Sequence, residues 1–505
     1  MQHELAAALL LKTADAAVQF PASQADVLYG MVYELLPAQR LELAYGDVNV
    51  QPAETFDERK RVCAALAAAL YPAAELAPVL NGLLADAPWQ GMGPVLWLLC
   101  FLAAPATPAP VQPLASLPLA HYFPAPMGEL VVRTGWAAND SVVALRLGGW
   151  FFGNHQRRDV GSLQVFSGAA QQFLVGSSGQ YDGYETDHWI NYLHSTISVS
   201  SLLIFDPDEQ PENKEGLAGI NVGGQRLPRW SQPRNLGVLL DPAYGYHMAD
   251  VLAWSVNTSA SYADLPPLQA FVLEGNLTRA YAAAKAQAVL RSYTVWLGPA
   301  AEPVVLVLDH VDTRRQFAAT FVLHTMIQPN VSQDGATFEA GPHLVGWMLQ
   351  PAEPAAVRVV PGYEAGGHLW PPQSETGLSA PWRLEWTRAA TDPAPFVVVL
   401  YAGAAADVRV RLLPTSKEMI ALQVNWAVRV FAADPSQRLQ RIRLTDISHL
   451  DWYKGRGLYV HACNLVPGRW CASGGEQTDC WLVGPPDHCL AAFVLRNTTD
   501  LNVDK

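Results

Sequence analysis

Between Phe152 and Asp206 the chain gathers side chains that can move protons. Three histidines (His155, His188, His194), three tyrosines (Tyr181, Tyr184, Tyr192), Arg157, Arg158, Asn154, Asn191 and Trp189 lie there between short apolar runs. Imidazole and phenol can each take or give a proton, and amide or guanidinium donors can neutralise a carboxylate. The stretch therefore predicts a carbohydrate or acid–base site. Tyr181 and Tyr184 stand beside Gly179 and Gly183, which suits either a loop presenting rings to a cleft or rings packed on a sheet. His188 and Trp189 read as groups that stack on a sugar or as a loop anchor. Asp159, Gly161 and Ser162 read as a turn leading into a strand. Other chemistries lack their signatures. Gly176-Ser-Ser-Gly179 is not a nucleophile elbow, and no phosphate-binding loop or dinucleotide fingerprint occurs. No carboxylate pair stands out for hydrolysis.

The elements that must position these groups change character along the chain. Up to about residue 104, apolar residues recur every three to four positions and predict helices over Leu5–Val18, Gln24–Leu36, Phe56–Leu70, Ala73–Ala85 and Gly93–Leu102. Thr55 and Asp57 are candidate caps. A proline-rich linker occupies 105–120. Beyond it, short β-type runs follow one another at hairpin spacing, among them Val142–Leu147, Leu163–Phe166, Leu202–Phe205, Phe317–His324 and Phe396–Tyr401. Many such strands imply stacked antiparallel sheets. The expected division is a central β-sandwich over 121–325 and a C-terminal β-sandwich over 326–505 with a Cys- and Gly-rich end.

Bulk composition narrows the partners. Half of the 505 residues are hydrophobic and 16% are charged, enough apolar material for several cores. The net charge of −13 disfavours a general nucleic-acid binder, because phosphate binding needs a basic face. The longest apolar run, Gly93–Ala104, is too short to span a membrane, and the first twenty residues lack a basic export-signal start. Cys463, Cys471, Cys480 and Cys489 are spaced by eight, nine and nine, without the close pairs of common zinc sites. Disulfides and free thiols both stay open.

In order along the chain, Arg133-Thr-Gly-Trp136, Asn154-His155-Gln156-x-x-Asp159, Ser178-Gly179-x-Tyr181, Tyr184, His188-Trp-x-Asn-Tyr192, Leu202-Leu-Ile-x-Asp-Pro207 and Gly223-Gly-Gln-Arg226 resemble the heparinase II/III-like polysaccharide lyases. The resemblance is nearest to heparinase II and covers roughly 118 to 330. It implies an α+β multidomain fold, with residues 1–104 as the remnant of an α/α toroid followed by antiparallel β-sandwich domains. It implies β-elimination on acidic, uronate-containing polysaccharide, and a periplasmic or extracellular setting. It makes His155 and Tyr181 catalytic, and it assigns Asn154, Tyr184, His188, Trp189 and Arg133 to substrate. Arg133 and Trp136 by themselves read as core or sheet-edge residues. The family's zinc ligands fall on Arg157, Ser177 and Val199, so no metal cofactor is expected; a guanidinium near Asp159 would stand in for the ion. The family tyrosine contributed by the toroid has no match among Tyr29, Tyr33 and Tyr45. The alternative function is a catalytically inactive glycan-binding or structural protein on the same scaffold.

Overall fold

A computed structural model describes residues 2–14, 27–37, 43, 58–72, 74–85 and most of 110–433, the exceptions there being 154, 214–216, 231, 263–264, 299–301, 316, 374–378, 406–407 and 426. Further on it describes 437–444, 458–463, 465, 468–474, 477–483, 490–495 and 501–504. The chain is mostly antiparallel β-sheet with few helices. Four expected helices form, as Gln2–Ala14, Val27–Tyr33, Glu58–Leu70 and Ala77–Ala85. Gly93–Leu102 and both candidate caps lie outside the described residues.

Nineteen strands alternate between two sheets and a small ribbon. They are β1 Ala120–Phe123, β2 Glu129–Arg133, β3 Val142–Arg146, β4 Ser162–Ser167, β5 Gln172–Gly176, β6 Leu202–Phe205, β7 Asp250–Tyr262, β8 Leu265–Asn276, β9 Ala286–Leu297 and β10 Val304–Thr313. Then come β11 Ala318–Thr325, β12 Asn330–Val331, β13 Thr337–Glu339, β14 Val345–Gln350, β15 Ala356–Pro361, β16 Glu364–Ala365, β17 His368–Leu369, β18 Trp382–Arg388 and β19 Phe396–Tyr401. The first sheet runs β1-β2-β3-β4-β5-β11-β18-β15, with β6 also on β11; the second runs β12-β13-β14-β19-β10-β9-β8-β7. One core lies between them, with Leu130, Leu163, Phe321 and Trp386 from the first sheet against Leu273, Tyr293, Val307 and Phe396 from the second. The division expected at 325/326 is thus not where the sheets divide. Strands β12 to β19 complete the two sheets begun by β1 to β11, because β19 has to cover the open side of β10. A second two-sheet unit, from Val410 to Asp504, has its own core around Val428, Val430, Ile442 and Trp470.

Strand β19 shows how the layers join. Its residues alternate faces, as a pleated strand must. Phe396, Val398 and Leu400 fill the sandwich core, while Val397, Val399 and Tyr401 meet Ile420, Leu422 and Phe431 of the C-terminal unit. On the far side, Val131, Val142, Phe166 and Phe173 of the first sheet pack against Tyr33 and Leu36 of the helical part. Cys463 and Cys471 each take part in a disulfide, Cys471 lies opposite Cys480 in the strand register, and Cys63 is a buried thiol.

Candidate active site

The site forms where β3 leaves and β4 enters the first sheet, and where β5 leaves it. In an antiparallel run these points share one end, so the 147–161 and 177–201 connections meet there. The first turns back at Gly153, whose φ of 82° suits a residue without Cβ. Gln156 fixes this turn from both sides: its amide oxygen accepts from Phe152 N–H at 2.7 Å and its amide nitrogen donates to Trp150 O at 3.0 Å. His194 braces it from below, with Nδ1 at 3.1 Å from Gln156 O. His155 stands exposed at the tip.

The second connection is pinned at its base. Ser177 and Val199 form an isolated β-bridge, and Ser178 N–H donates to Ser198 O at 2.7 Å. The buried guanidinium of Arg157 donates to Ser178 O at 3.3 Å and to Gly179 O at 3.4 Å. Gly179 has φ 81°, and a Cβ there would meet the His188 ring at 3.1 Å. Thr186 Oγ1 donates to Asp182 Oδ1 at 2.6 Å and accepts from Trp189 N–H at 3.1 Å, which closes the loop between Tyr181 and Trp189.

These constraints bring three expected residues together. The Tyr184 hydroxyl is 3.1 Å from His155 Nε2. The Tyr181 ring lies 6.4 Å from the His155 ring at 82° and 5.3 Å from that of Tyr184 at 72°. Tyr184 is 53% exposed, so the pair can meet a large substrate. A phenol and an imidazole that share a hydrogen bond can pass one proton between them.

Three expected substrate contacts have other partners. His188 is buried; its Nδ1–H donates to Trp370 O at 2.5 Å and its Nε2 accepts from Gln180 N–H. Burial pushes its pKa down, against that hydrogen bond to Trp370, so it is a neutral loop anchor. Trp189, 3% exposed, packs under Tyr184 with ring centroids 5.5 Å apart and supports that ring rather than a sugar. Arg133 is not at the site. It donates to Tyr33 O at 3.0 Å and Leu35 O at 2.7 Å, and stacks 4.3 Å over Trp136, so it ties the helices to β2. Asn154 lies outside the described residues. Gln156 and His194, which hold the His155 turn, were named in the sequence without a site role, because their partners are backbone carbonyls and amides.

The positions of the family zinc do converge, through the Ser177–Val199 bridge and Arg157 beside it. They offer a guanidinium, a hydroxyl and an aliphatic chain, which are not a zinc ligand set, and among the described residues no group of three His, Cys, Asp or Glu side chains is placed to hold a metal ion. Asp159 faces Arg146 at 3.2 Å. Arg157 holds the tyrosine loop by its carbonyls. Arg157→Met is expected to cost about 1–3 kcal/mol, the penalty for buried carbonyls left without a donor. Urea unfolding checks this, and an unchanged midpoint would contradict it.

No protein-family model matches the chain, and no curated protein matches it. Among solved structures it is similar to "Crystal Structure of Heparinase III", with a TM-score of 0.49 at 9% identity over 85% of this chain and 58% of that one. It is also similar to the heparan sulfate lyase HepC from Pedobacter heparinus, with a TM-score of 0.48 at 12% identity over 84% of this chain and 56% of that one. The chain thus spans little more than half the length of these structures. No helix among the described residues is long and apolar enough to cross a membrane.

Proposed function

We propose that the protein is a polysaccharide lyase that cleaves an acidic, uronate-containing polysaccharide by β-elimination. The observation that carries this reading is the hydrogen-bonded His155–Tyr184 pair at an exposed turn, with Tyr181 beside it. Elimination needs a proton taken from C5 of the uronate and a proton given to the departing O4. The C5–H electrons become the C4–C5 double bond, and the C4–O bond breaks with its electrons on oxygen. The proton from C5 enters the His155–Tyr184 pair and a proton from the pair goes to O4, so the pair ends as it began. Tyr181 orients the sugar ring, and Asn154, next to His155 in sequence, donates to the carboxylate.

The test is to incubate the protein with heparin, heparan sulfate and alginate and to follow the ultraviolet absorbance of the unsaturated product. Absorbance that grows with at least one substrate supports the reading. Binding of these polysaccharides with no product from any of them would favour the inactive glycan-binding scaffold. Tyr184→Phe removes one hydroxyl and keeps the ring. It is expected to lower kcat by about 10²-fold, the lower end for a lost proton-transfer group. A rate within a few-fold of the parent would remove Tyr184 from the reaction.

A further inference from the structure

Beside the His155 turn lies a band of arginines and aromatic rings that the pair chemistry does not use. Backbone bonds fix its place. Trp150 bridges His247, and Phe151 N–H donates to Tyr246 O at 2.9 Å, so the segment that leads to His155 pairs with 244–247. Arg229 N–H donates to Tyr244 O at 3.0 Å, which brings 226–234 alongside. His155 lies five positions beyond Trp150, a reach of at most about 18 Å. The band therefore begins within a few sugar units of the proposed reaction.

Its side chains are arranged for an anion. The Trp150 and His247 rings stack at 4.5 Å with 1° between their planes. Next to them Trp230 and Tyr244 lie 4.7 Å apart, with the Arg234 guanidinium 4.4 Å over Trp230 and that of Arg229 5.7 Å from Tyr244. Arg229 and Arg234 are exposed, and among the described residues neither forms an ion pair. A guanidinium lying on a ring keeps its in-plane N–H fork free, and the ring limits the orientations it must lose on binding. The nearby carboxylates are otherwise engaged. Asp250 faces Arg279 and His247, and Asp241 accepts from Ala243 N–H. A pocket of about 440 Å3, lined by Asp250, Asn276, Arg279 and Gln287 among others, adjoins the stack. On a chain of net charge −13 such a cluster of cations on rings is a local exception. Trp230 is half-buried beneath one of them.

We propose that this band is a second binding site for the same chain of acidic sugar, in which Arg229 and Arg234 grip carboxylate or sulfate groups while Trp230 and Tyr244 back the guanidiniums. It rests on the reading that the ligand is an acidic polysaccharide. Isothermal titration of the full chain with a heparan sulfate octasaccharide and with a neutral oligosaccharide of equal length tests it. Arg229→Gln with Arg234→Gln is expected to weaken octasaccharide binding by about tenfold or more, as two charge-assisted contacts imply. The variant should also lose part of the salt dependence of binding. An unchanged melting temperature shows that the fold is kept. Three results would overturn the proposal: equal octasaccharide affinity in parent and variant, equally tight binding of the neutral oligosaccharide, or tighter binding of single-stranded DNA than of the octasaccharide. Product formation is measured separately. If the variant loses affinity while the parent forms no unsaturated product, the band stands and the lyase reading falls.

Discussion

Replacing His155 with alanine is expected to lower the rate of unsaturated-product formation by about 10²–10⁴-fold, the range for removal of a general acid–base group. The melting temperature should stay at the parent value. The imidazole is exposed at a turn whose shape is set by Gly153 and by the amide of Gln156, so no core contact is lost. The paired outcome separates chemistry from folding: a rate loss with unchanged melting assigns His155 to the reaction. A rate within a few-fold of the parent would leave Tyr184 without the partner that makes it an acid and a base.

The second large effect is on stability in acid. His324, in β11, is fully buried, and its Nε2 lies 2.8 Å from Ile197 O. Burial, and then the charge of Arg383, push its pKa down to about 3. His188 and His461 are lowered as well, chiefly by burial, and Arg429 Nη1 donates to His461 Nδ1 at 3.1 Å, which keeps that nitrogen unprotonated. In the unfolded chain these imidazoles take up protons below about pH 6.5, whereas the folded state does not. Stability is therefore full above that pH and falls as pH drops toward 3. His324 alone accounts for about 4–5 kcal/mol across the window, at about 1.4 kcal/mol per pH unit. Urea midpoints measured between pH 7.5 and pH 4 should fall steeply, and less steeply in His324→Gln. A midpoint that is flat over this range would contradict the burial of a neutral His324. The effect bears on function because His324 and His188 brace the base of the tyrosine loop.

Much of this was legible in the sequence where neighbours in the chain decide the outcome. Helices Glu58–Leu70 and Ala77–Ala85 and strands β6 and β19 follow from apolar periodicity, and the gathering of His155, Tyr181 and Tyr184 follows from glycines that turn two loops toward each other. What depended on distant partners was not legible. Strands β7 and β8 carry Asn257, Ser259, Pro266 and Pro267, which dilute the alternating pattern. They form because β8 pairs along β9. Arg133 and His188 have residue types that suit a ligand, yet carbonyls about a hundred or more residues away, at Tyr33 and Trp370, claim them. The sheet boundary was misplaced for the same reason: the pairing of β10 with β19 joins residues far apart in sequence. A one-dimensional pattern of turns does not contain such a contact.

Mass spectrometry of products formed from a uronate polysaccharide in oxygen-labelled water tests elimination against hydrolysis. Elimination breaks the C4–O bond without adding water, so the account predicts an unsaturated non-reducing end and no incorporation of label during cleavage. Saturated products that carry one labelled oxygen would mark hydrolysis and contradict the account, as would the absence of any product from heparin, heparan sulfate and alginate.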